Sequence, residues 1–219
     1  MPLHAIIDIF ALIIWNMNAS APEIINIIGT AAFTLSGYLV GVRKRLDVLG
    51  VLITSLLTAI GGGLMRDVMV GRTPLVFTQN DALITIFITL LLCGLLKVQY
   101  QQQRFLATLF LLTDSLGLVA FTITGVQIGL ALDLNLFGVV SLGFVTAVGG
   151  GIVRDVMVND IPMILRKDFY GTVSVIVGLF MFMLHHFDWI NAISLNLLLW
   201  SGYALRLWAH RIALALPRL

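Results

Sequence analysis

Charged side chains are scarce in this sequence: Asp, Glu, Lys and Arg make up 11% of its 219 residues, whereas 59% are hydrophobic. A soluble domain carries a charged side chain at roughly a quarter of its positions. So few charges cannot cover a surface that faces water, which excludes an ordinary soluble protein. The net charge of +2 is too small to indicate a nucleic-acid-binding surface. Lipid is therefore the predicted surroundings of most of the chain.

Cysteine and the familiar catalytic motifs are also lacking. The single cysteine, Cys93, lies in an apolar run and cannot form an intrachain disulfide. The sequence has no His/Cys spacing typical of a metal site, no nucleophile elbow and no Walker loop. We therefore predict that the protein is not an enzyme, that it holds no metal or cofactor, and that ATP does not drive it.

Seven apolar segments are long enough to cross a bilayer as helices, which takes about 20 residues each. Helices are predicted because an open strand would leave backbone polar groups unsatisfied in lipid. The predicted fold class is an all-α integral membrane protein with seven transmembrane helices. The segments are 22–42, 48–70, 81–97, 105–130, 135–158, 169–187 and 189–208.

The first residues are apolar too, and two interpretations of them remain open. Residues 3–17 suit a short interfacial or re-entrant helix, whereas the Ala-Ser-Ala tripeptide at 19–21 resembles a signal-peptidase site. The stretch has no Lys or Arg before it, and Asp8 interrupts it, which favours the interfacial helix. We therefore treat residues 1–21 as an N-terminal interfacial segment.

The basic residues predict the orientation of the chain. With seven crossings, ten of the thirteen Lys and Arg residues fall on one side, whereas helix ends on the other side carry Glu23, Asp81, Asp133 and Asp188. By the positive-inside rule, the N-terminus is outside and the C-terminus is in the cytoplasm. The ten basic residues are Arg43, Lys44, Arg45, Lys97, Arg104, Arg166, Lys167, Arg206, Arg211 and Arg218.

The sequence matches itself without a gap after a shift of 88 residues. From Gly29 to Phe77, 20 of 49 positions are identical to those in the second copy. Self-similarity this dense indicates a duplicated unit. The copies begin three spans apart, so we predict two inverted three-helix repeats, at 22–97 and 105–187. A seventh span and a cytoplasmic tail follow at 189–219. Channels and transporters often have this architecture.

Each repeat contains the motif GGG-x-x-R-D, at 61–67 and again at 149–155. Three glycines weaken a helix by about 1 kcal/mol each relative to alanine in water. They also expose carbonyl oxygens and permit a kink. Interrupted helices at matched positions point to a transport site, whereas close helix packing through small residues is the alternative. The glycines are Gly61, Gly62, Gly63, Gly149, Gly150 and Gly151.

The Arg and Asp of each motif lie within or near the hydrocarbon, where a charge is costly unless it is paired or faces water. Inversion places Arg66 and Asp67 toward the outer half of the membrane, and Arg154 and Asp155 toward the inner half. Two interpretations remain open. The pairs form a charged gate or constriction on each side of the midplane, or each arginine caps a broken helix and locks two helices together.

Asp114 is the one isolated acid within a span, and Asn26 occupies the matched position in the first repeat. Matched polar residues predict that both helices face a wet interior, where Asp114 attracts cations or balances Arg154. A satisfied hydrogen bond between helices is the alternative. Thr58 and Thr146 are another matched pair, and we predict that they line the same interior.

Seven spans, the duplicated motif and the matched prolines Pro74 and Pro162 resemble the bacterial and archaeal members of the trimeric intracellular cation (TRIC) channel family. The same sequence group is also labelled a glycine transporter domain. The resemblance covers about residues 22–208. It implies a homotrimer in a prokaryotic inner membrane, in contact with lipid. Each protomer would hold one pore, lined by the glycine-kinked second and fifth spans and permeable to potassium or sodium ions.

Two functions therefore remain open from the sequence. The first is a passive, potassium-permeable channel. The second is a secondary transporter of a small zwitterion such as glycine, in which Arg66 or Arg154 would hold the carboxylate and Asp114 the amine. A non-conducting scaffold is a weaker third possibility, and it predicts that replacing the glycines affects folding only.

Overall fold

A computed structural model describes residues 20–166 and 169–212. Within these ranges the regular secondary structure is helical throughout. The predicted interfacial helix at 3–17 lies outside the described residues, as do Lys167 and Arg218.

Seven helices of 15 or more residues follow one another in the described part of the chain, and each coincides with one predicted apolar segment to within three residues at either end. Single turns of helix lie in three of the connections, at Leu75–Phe77, Val98–Tyr100 and Met163–Arg166. The seven helices are α1 (Ala21–Arg43), α2 (Val48–Met69), α3 (Asp81–Leu95), α4 (Gln103–Ala131), α5 (Leu136–Met157), α6 (Tyr170–His186) and α7 (Ala192–Arg211).

Four of these helices, α1, α2, α4 and α5, are long and apolar enough to cross a membrane. Helices α3 and α6 are apolar but shorter, at 15 and 17 residues. The outward surface fits the same surroundings. Along α3, for example, Ile84, Phe87, Leu91 and Leu95 recur at helical spacing and are all exposed. Such a stripe requires lipid or another protein surface.

Helix ends are built alike in the two halves of the sequence. Two residues that lie 88 positions apart, at the same place in the two copies, are called repeat mates. Asp47 caps α2 by accepting a hydrogen bond from the backbone N–H of Gly50, at 2.7 Å, and its mate Asn135 caps α5 by accepting one from Gly138, at 2.9 Å. A side-chain oxygen at this position satisfies a free N–H of the first turn. The duplicated sequence therefore produces duplicated local structure.

Helix packing follows the same pattern. Helix α1 packs against α2, α3 and α4, and α4 packs against α5, α6 and α1, while α7 covers α4 and α6. Apolar side chains such as Leu118, Val177 and Leu199 fill the space between α4, α6 and α7. Phe33 of α1 and Phe121 of α4, which are repeat mates, meet edge to face with their ring centroids 5.1 Å apart.

The two ends of the helix bundle are named here by one residue each. At the Asp160 end, the connection after α1 meets the connection after α5, where Lys44 contacts Asp160. At the Asp81 end, the start of α1, the end of α2 and the start of α3 border a common cavity. The matched helices α2 and α5 therefore end at opposite ends of the bundle.

Candidate functional site

The glycine triplets lie where α2 and α5 cross. A Cβ added to Gly62 would overlap the carbonyl oxygen of Thr146, and one added to Gly150 would overlap the carbonyl oxygen of Thr58. Glycine is required here because the two backbones approach too closely for any side chain. Both helices remain continuous through the triplets, so the interruption that the sequence suggested is absent. A bend of either helix axis stays a prediction.

Immediately after each triplet, the Arg and Asp of the motif make the same hydrogen bonds. Nε of Arg66 donates to Oδ1 of Asp67, and Nε of Arg154 donates to Oδ1 of Asp155, both at 2.8 Å. The second carboxylate oxygen accepts the backbone N–H eight residues later, from Leu75 or its mate Met163, both at 2.9 Å. Each aspartate thereby fixes the connection that follows its helix.

Arg154 is fully buried and bound across the bundle. Its Nη1 donates to Oδ1 of Asp114 at 2.5 Å and to Oγ of Ser36 at 2.6 Å, and its guanidinium lies 5.0 Å from the ring centroid of Phe110. We call Arg154, Asp114 and Ser36 the Arg154 lock. It joins α5, α4 and α1. Its geometry fits both the balancing of Arg154 and the alternative of a hydrogen bond between helices. Asp114 is only 1% exposed, so its predicted contact with a wet interior is not seen in this structure.

Arg66 has different surroundings, although its sequence context is nearly the same. Arg66 and Asp67 border a cavity of about 240 Å³ at the Asp81 end, together with Asn26, Thr124 and Gln127. Within the described residues, the hydrogen bond to Asp67 is the one made by the Arg66 side chain. Asn26 therefore borders an open space shared with the Arg–Asp pair. Its predicted contact with a wet interior stays a prediction.

The same region of the second repeat is closed. Eight residues around Arg154 border a crevice that has no room for a water molecule, with a free volume of about 0 Å³. The repeat mate of every one of them borders the open cavity. One exchange explains much of the difference: Ala82 lines the cavity, whereas its mate Tyr170 is buried in the crevice. The eight are Val148, Gly151, Ile152, Arg154, Asp155, Met163, Ile164 and Tyr170.

A second contact joins the connections after α1 and α5 at the surface of the Asp160 end. Nζ of Lys44 lies 2.7 Å from Oδ1 of Asp160, and Nη2 of Arg43 lies 3.7 Å from Oδ2. We call these three residues the Asp160 bridge. The hydrogen bond from Lys44 and the nearby positive charges lower the pKa of Asp160. The matched position in the first repeat is Arg72, which turns back to Asp67 instead.

Thr58 and Thr146 are buried, and each hydroxyl donates to a carbonyl oxygen of its own helix, at 2.5 and 2.6 Å. They lie beside the glycine crossing, next to the backbones that approach each other. Their predicted contact with a wet interior stays a prediction.

Sequence reasoning did not predict the burial of one basic residue and missed the roles of others. Arg206, which the charge count used as a marker of the cytoplasmic side, is only 2% exposed and lies over the ring of Tyr170. The roles of Ser36, Tyr170 and Asp160 were not predicted either. The one available signal was the exchange of a residue type between repeat mates: Ala82 for Tyr170, and Arg72 for Asp160.

Comparison with known proteins agrees with the duplicated architecture. The sequence model of the family described as glycine transporter matches residues 23–98 and again 111–186, with the second match shifted by the same 88 residues. A UPF0126 membrane protein of Deinococcus radiodurans is 40% identical over 154 residues, covering 68% of this chain and 70% of that protein. This chain belongs to the UPF0126 (glycine transporter) membrane protein family.

Other family members are similar over comparable lengths. A UPF0126 membrane protein of Vibrio cholerae is 32% identical over 202 residues, covering 92% of this chain and 84% of that protein. The UPF0126 inner membrane protein YadS of Escherichia coli is 34% identical over 157 residues, covering 71% of this chain and 74% of that protein. With its apolar helices, the chain is a multi-pass membrane protein.

The fold matches solved structures of TRIC channels. A TRIC cation channel studied for its conductance superposes with a TM-score of 0.76 at 31% identity, covering 90% of this chain and 96% of that one. A prokaryotic TRIC channel crystallised in 0.5 M KCl gives a TM-score of 0.79 at 29% identity, over 89% and 98%. The resemblance to the TRIC family that the sequence suggested is confirmed.

Proposed function

We propose that this protein is a monovalent cation channel, permeable to potassium, in which each protomer of a homotrimer holds its own pore. The observation that carries the proposal is the pair of matched sites at opposite ends of the α2–α5 crossing. One is an open cavity beside Arg66 that polar and apolar residues line together, and the other is a closed crevice beside Arg154. Similarity to TRIC cation channels supports the assignment of the transported ion class.

The two halves, 22–97 and 105–187, form inverted repeats in this proposal. Three features support it. The matched helices α2 and α5 end at opposite ends of the bundle, their glycine triplets contact each other, and the Arg–Asp hydrogen bonds recur with the same geometry at each end. An odd number of spans before the second copy gives this inversion, with α7 completing seven crossings.

The orientation follows from the charges at the ends of the bundle. The Asp160 end carries the run Arg43-Lys44-Arg45 after α1, whereas the Asp81 end carries acidic residues such as Glu23 and Asp81. The positive-inside rule assigns the Asp160 end to the cytoplasm and the Asp81 end to the outside. The inner-membrane relative in Escherichia coli supports placement in the same membrane.

An ion would enter through the cavity at the Asp81 end, pass the glycine crossing and leave beside Arg154. At the crossing, the absence of side chains leaves carbonyl oxygens such as those of Thr58 and Thr146 near the path. An arginine in a cation path repels the ion unless an acid offsets its charge. Asp67 offsets Arg66 at one end, and Asp155 and Asp114 offset Arg154 at the other.

Two features close the path in this structure: the Arg154 lock and the ring of Tyr170. In this proposal, the conformation is one that is open at the Asp81 end and closed at the Asp160 end. Opening requires that Arg154 or Tyr170 move, since no volume remains between them and the neighbouring residues of the crevice.

Single-channel recording tests this function. Purified protein is incorporated into a planar bilayer with asymmetric potassium chloride, and discrete openings that reverse near the potassium equilibrium potential are expected. Gly62→Leu, which forces the two backbones apart, serves as the matched inactive variant. Size-exclusion chromatography with light scattering checks that it still assembles, at three times the mass of one chain. Silence from folded, inserted wild-type protein would contradict the proposal.

A secondary transporter of a small zwitterion such as glycine is the second candidate. It is favoured by one specific observation, since a path open at one end and closed at the other is what alternating access requires. The guanidinium of Arg66 would hold the carboxylate of the substrate in the cavity. Uptake of labelled glycine into vesicles that conduct no current would establish this function in place of the channel.

A further inference from the structure

Arg206 is an unusual residue for the interior of an apolar bundle. It lies on α7, outside both repeats, and its side chain is buried to 2% exposure. Its Nε and Nη2 atoms have no hydrogen-bond partner among the described residues. A buried guanidinium with free donors is costly in lipid, so its presence requires a reason.

The first reason is the contact that Arg206 makes. Its guanidinium carbon lies 5.0 Å from the ring centroid of Tyr170, which is the geometry of a cation–π interaction. Tyr170 is the residue that fills the crevice at the Asp160 end, where the matched Ala82 leaves the cavity open. Arg206 therefore covers one face of the ring that closes the path.

The second reason is the set of polar atoms around that ring. The hydroxyl of Tyr170 and Oδ2 of Asp114 are also buried and make no hydrogen bond of standard geometry with another described residue, but the phenol and the carboxylate are close enough to interact with each other and with Arg206. Oδ1 of Asp114 is already used by Arg154. Asp114 thus has one oxygen engaged in the Arg154 lock and a second oxygen outside it, and its negative charge acts on both Tyr170 and Arg206.

We propose that Arg206 is a positioning residue of the gate: stacked on Tyr170 and supported by the charge of Asp114, it holds the ring in the crevice and keeps the Asp160 end closed. The seventh helix is then more than a lipid-facing addition to the repeats, because it supplies the cation that stabilises one closed state. The gating role rests on the proposed channel function, whereas the closure of the crevice does not.

Reactivity of a cysteine in the crevice tests the closure directly. Gly151 borders the crevice, and a Cβ there would lie 3.5 Å from the hydroxyl of Tyr170, an ordinary contact. Gly151→Cys is placed in a Cys93→Ser background, and its rate of modification by a charged thiosulfonate is measured in proteoliposomes. Arg206→Gln is expected to raise the rate about tenfold, the loss expected for a desolvated cation–π contact.

Further variants separate positioning from packing. Tyr170→Ala, which copies Ala82, is expected to raise the rate at least as much as Arg206→Gln does, and the double variant no further. Arg206→Lys retains a cation and is expected to restore most of the protection. Arg211→Gln, on the exposed last turn of the same helix, is the control and is expected to match the wild type. An unchanged rate in folded Arg206→Gln would overturn the proposal.

Current measurements complete the test. If wild-type protein conducts, Arg206→Gln is expected to raise the open probability about tenfold with an unchanged unitary conductance, because the residue acts on the closed state and not on the open path. A lower unitary conductance would overturn the gating role. If the wild type is silent, the channel function fails, while the modification rates still decide whether Arg206 closes the crevice.

Discussion

Nη1 of Arg154 lies 2.5 Å from Oδ1 of Asp114, although the two residues are 40 positions apart and belong to different helices. Both side chains are almost completely removed from solvent. At the matched position of the first repeat, the acid is replaced by the amide of Asn26, and the arginine there borders an open cavity. The position of this one carboxylate therefore distinguishes the closed end of the bundle from the open end.

Replacing Asp114 tests the strength of this pair. Asp114→Asn keeps the shape of the side chain but leaves Arg154 with less compensation, so we expect the free energy of unfolding to fall by roughly 3 kcal/mol, as for other broken buried pairs. Thermal unfolding in detergent measures the change. Asn26→Asp, the mirror exchange beside the cavity, is the control and should change stability by less than about 1 kcal/mol. Equal effects of the two variants would contradict the lock.

Substitutions within a glycine triplet distinguish its positions. Gly62→Ala places a methyl group against the carbonyl oxygen of Thr146, so we expect roughly 2 kcal/mol of destabilisation by overpacking. Gly63→Ala meets nothing closer than 3.7 Å and should leave stability unchanged or slightly higher, because alanine is the better helix former. Chemical denaturation of both variants checks the difference. A flux that survives in folded Gly62→Leu would refute the close crossing as part of the path.

The two ends of the bundle should differ in access. Gly63 borders the cavity and its mate Gly151 borders the closed crevice. In a Cys93→Ser background, we expect Gly63→Cys to react with a charged thiosulfonate at least about tenfold faster than Gly151→Cys, because reaction in the crevice first requires an opening of 1.4 kcal/mol or more. Reagent added from one side of the membrane also reports the orientation. Equal rates would mean that both ends are open.

The Asp160 bridge should respond to acid but not to pH changes in the neutral range. The pKa of the Asp160 carboxyl is lower in the folded protein than in the unfolded chain. The bridge therefore stabilises the folded protein fully above the unfolded-state pKa of about 3.9, and this stabilisation is lost as the pH falls through the lower folded-state pKa. Asp160 therefore stays ionised from pH 8 to about pH 5, and we expect its bridge to cause no change in potassium flux over that range.

Removing the bridge has a different effect. Asp160→Asn removes the attraction that holds the connections after α1 and α5 together. We expect a modest rise in flux at low ionic strength, because the loss of this contact outweighs the repulsion of potassium by the freed Lys44 and Arg43. The difference from the wild type should disappear at high salt, where the wild-type bridge is screened as well. Exchanging the charges, with Lys44→Asp and Asp160→Lys together, should restore the wild-type flux. Failure of the exchange to restore it would indicate that the bridge does not hold the Asp160 end.

Patterns within the sequence predicted the parts of the fold that depend on local composition. The helix bounds follow from apolar length, and the shared geometry of Arg66–Asp67 and Arg154–Asp155 follows from the repeat. The glycine triplets were assigned both a transport role and a packing role, and the structure adds the partner that each glycine faces. These features are predictable because each is encoded in a single stretch of chain.

Contacts between distant stretches could not be predicted in the same way. Ser36 reaches Arg154 across 118 positions, and Lys44 reaches Asp160 across 116. Composition gave no reason to choose these pairs among many polar residues. The burial of Arg206 was not predicted because a basic residue near a helix end normally faces water. Its burial depends on how α7 lies over α4 and α6, which no local pattern reports.

Ala82 and Tyr170 differ, as do Asn26 and Asp114, although the surrounding sequence is duplicated. Two identical halves in inverted orientation would possess two resting conformations related by a twofold rotation and equal in free energy, each populated half of the time. The exchanges at these positions remove that degeneracy. A difference of only about 3 kcal/mol would leave the second conformation populated at less than one part in a hundred. In the proposed inverted arrangement, divergence at these two positions alone would be enough to favour a single resting state.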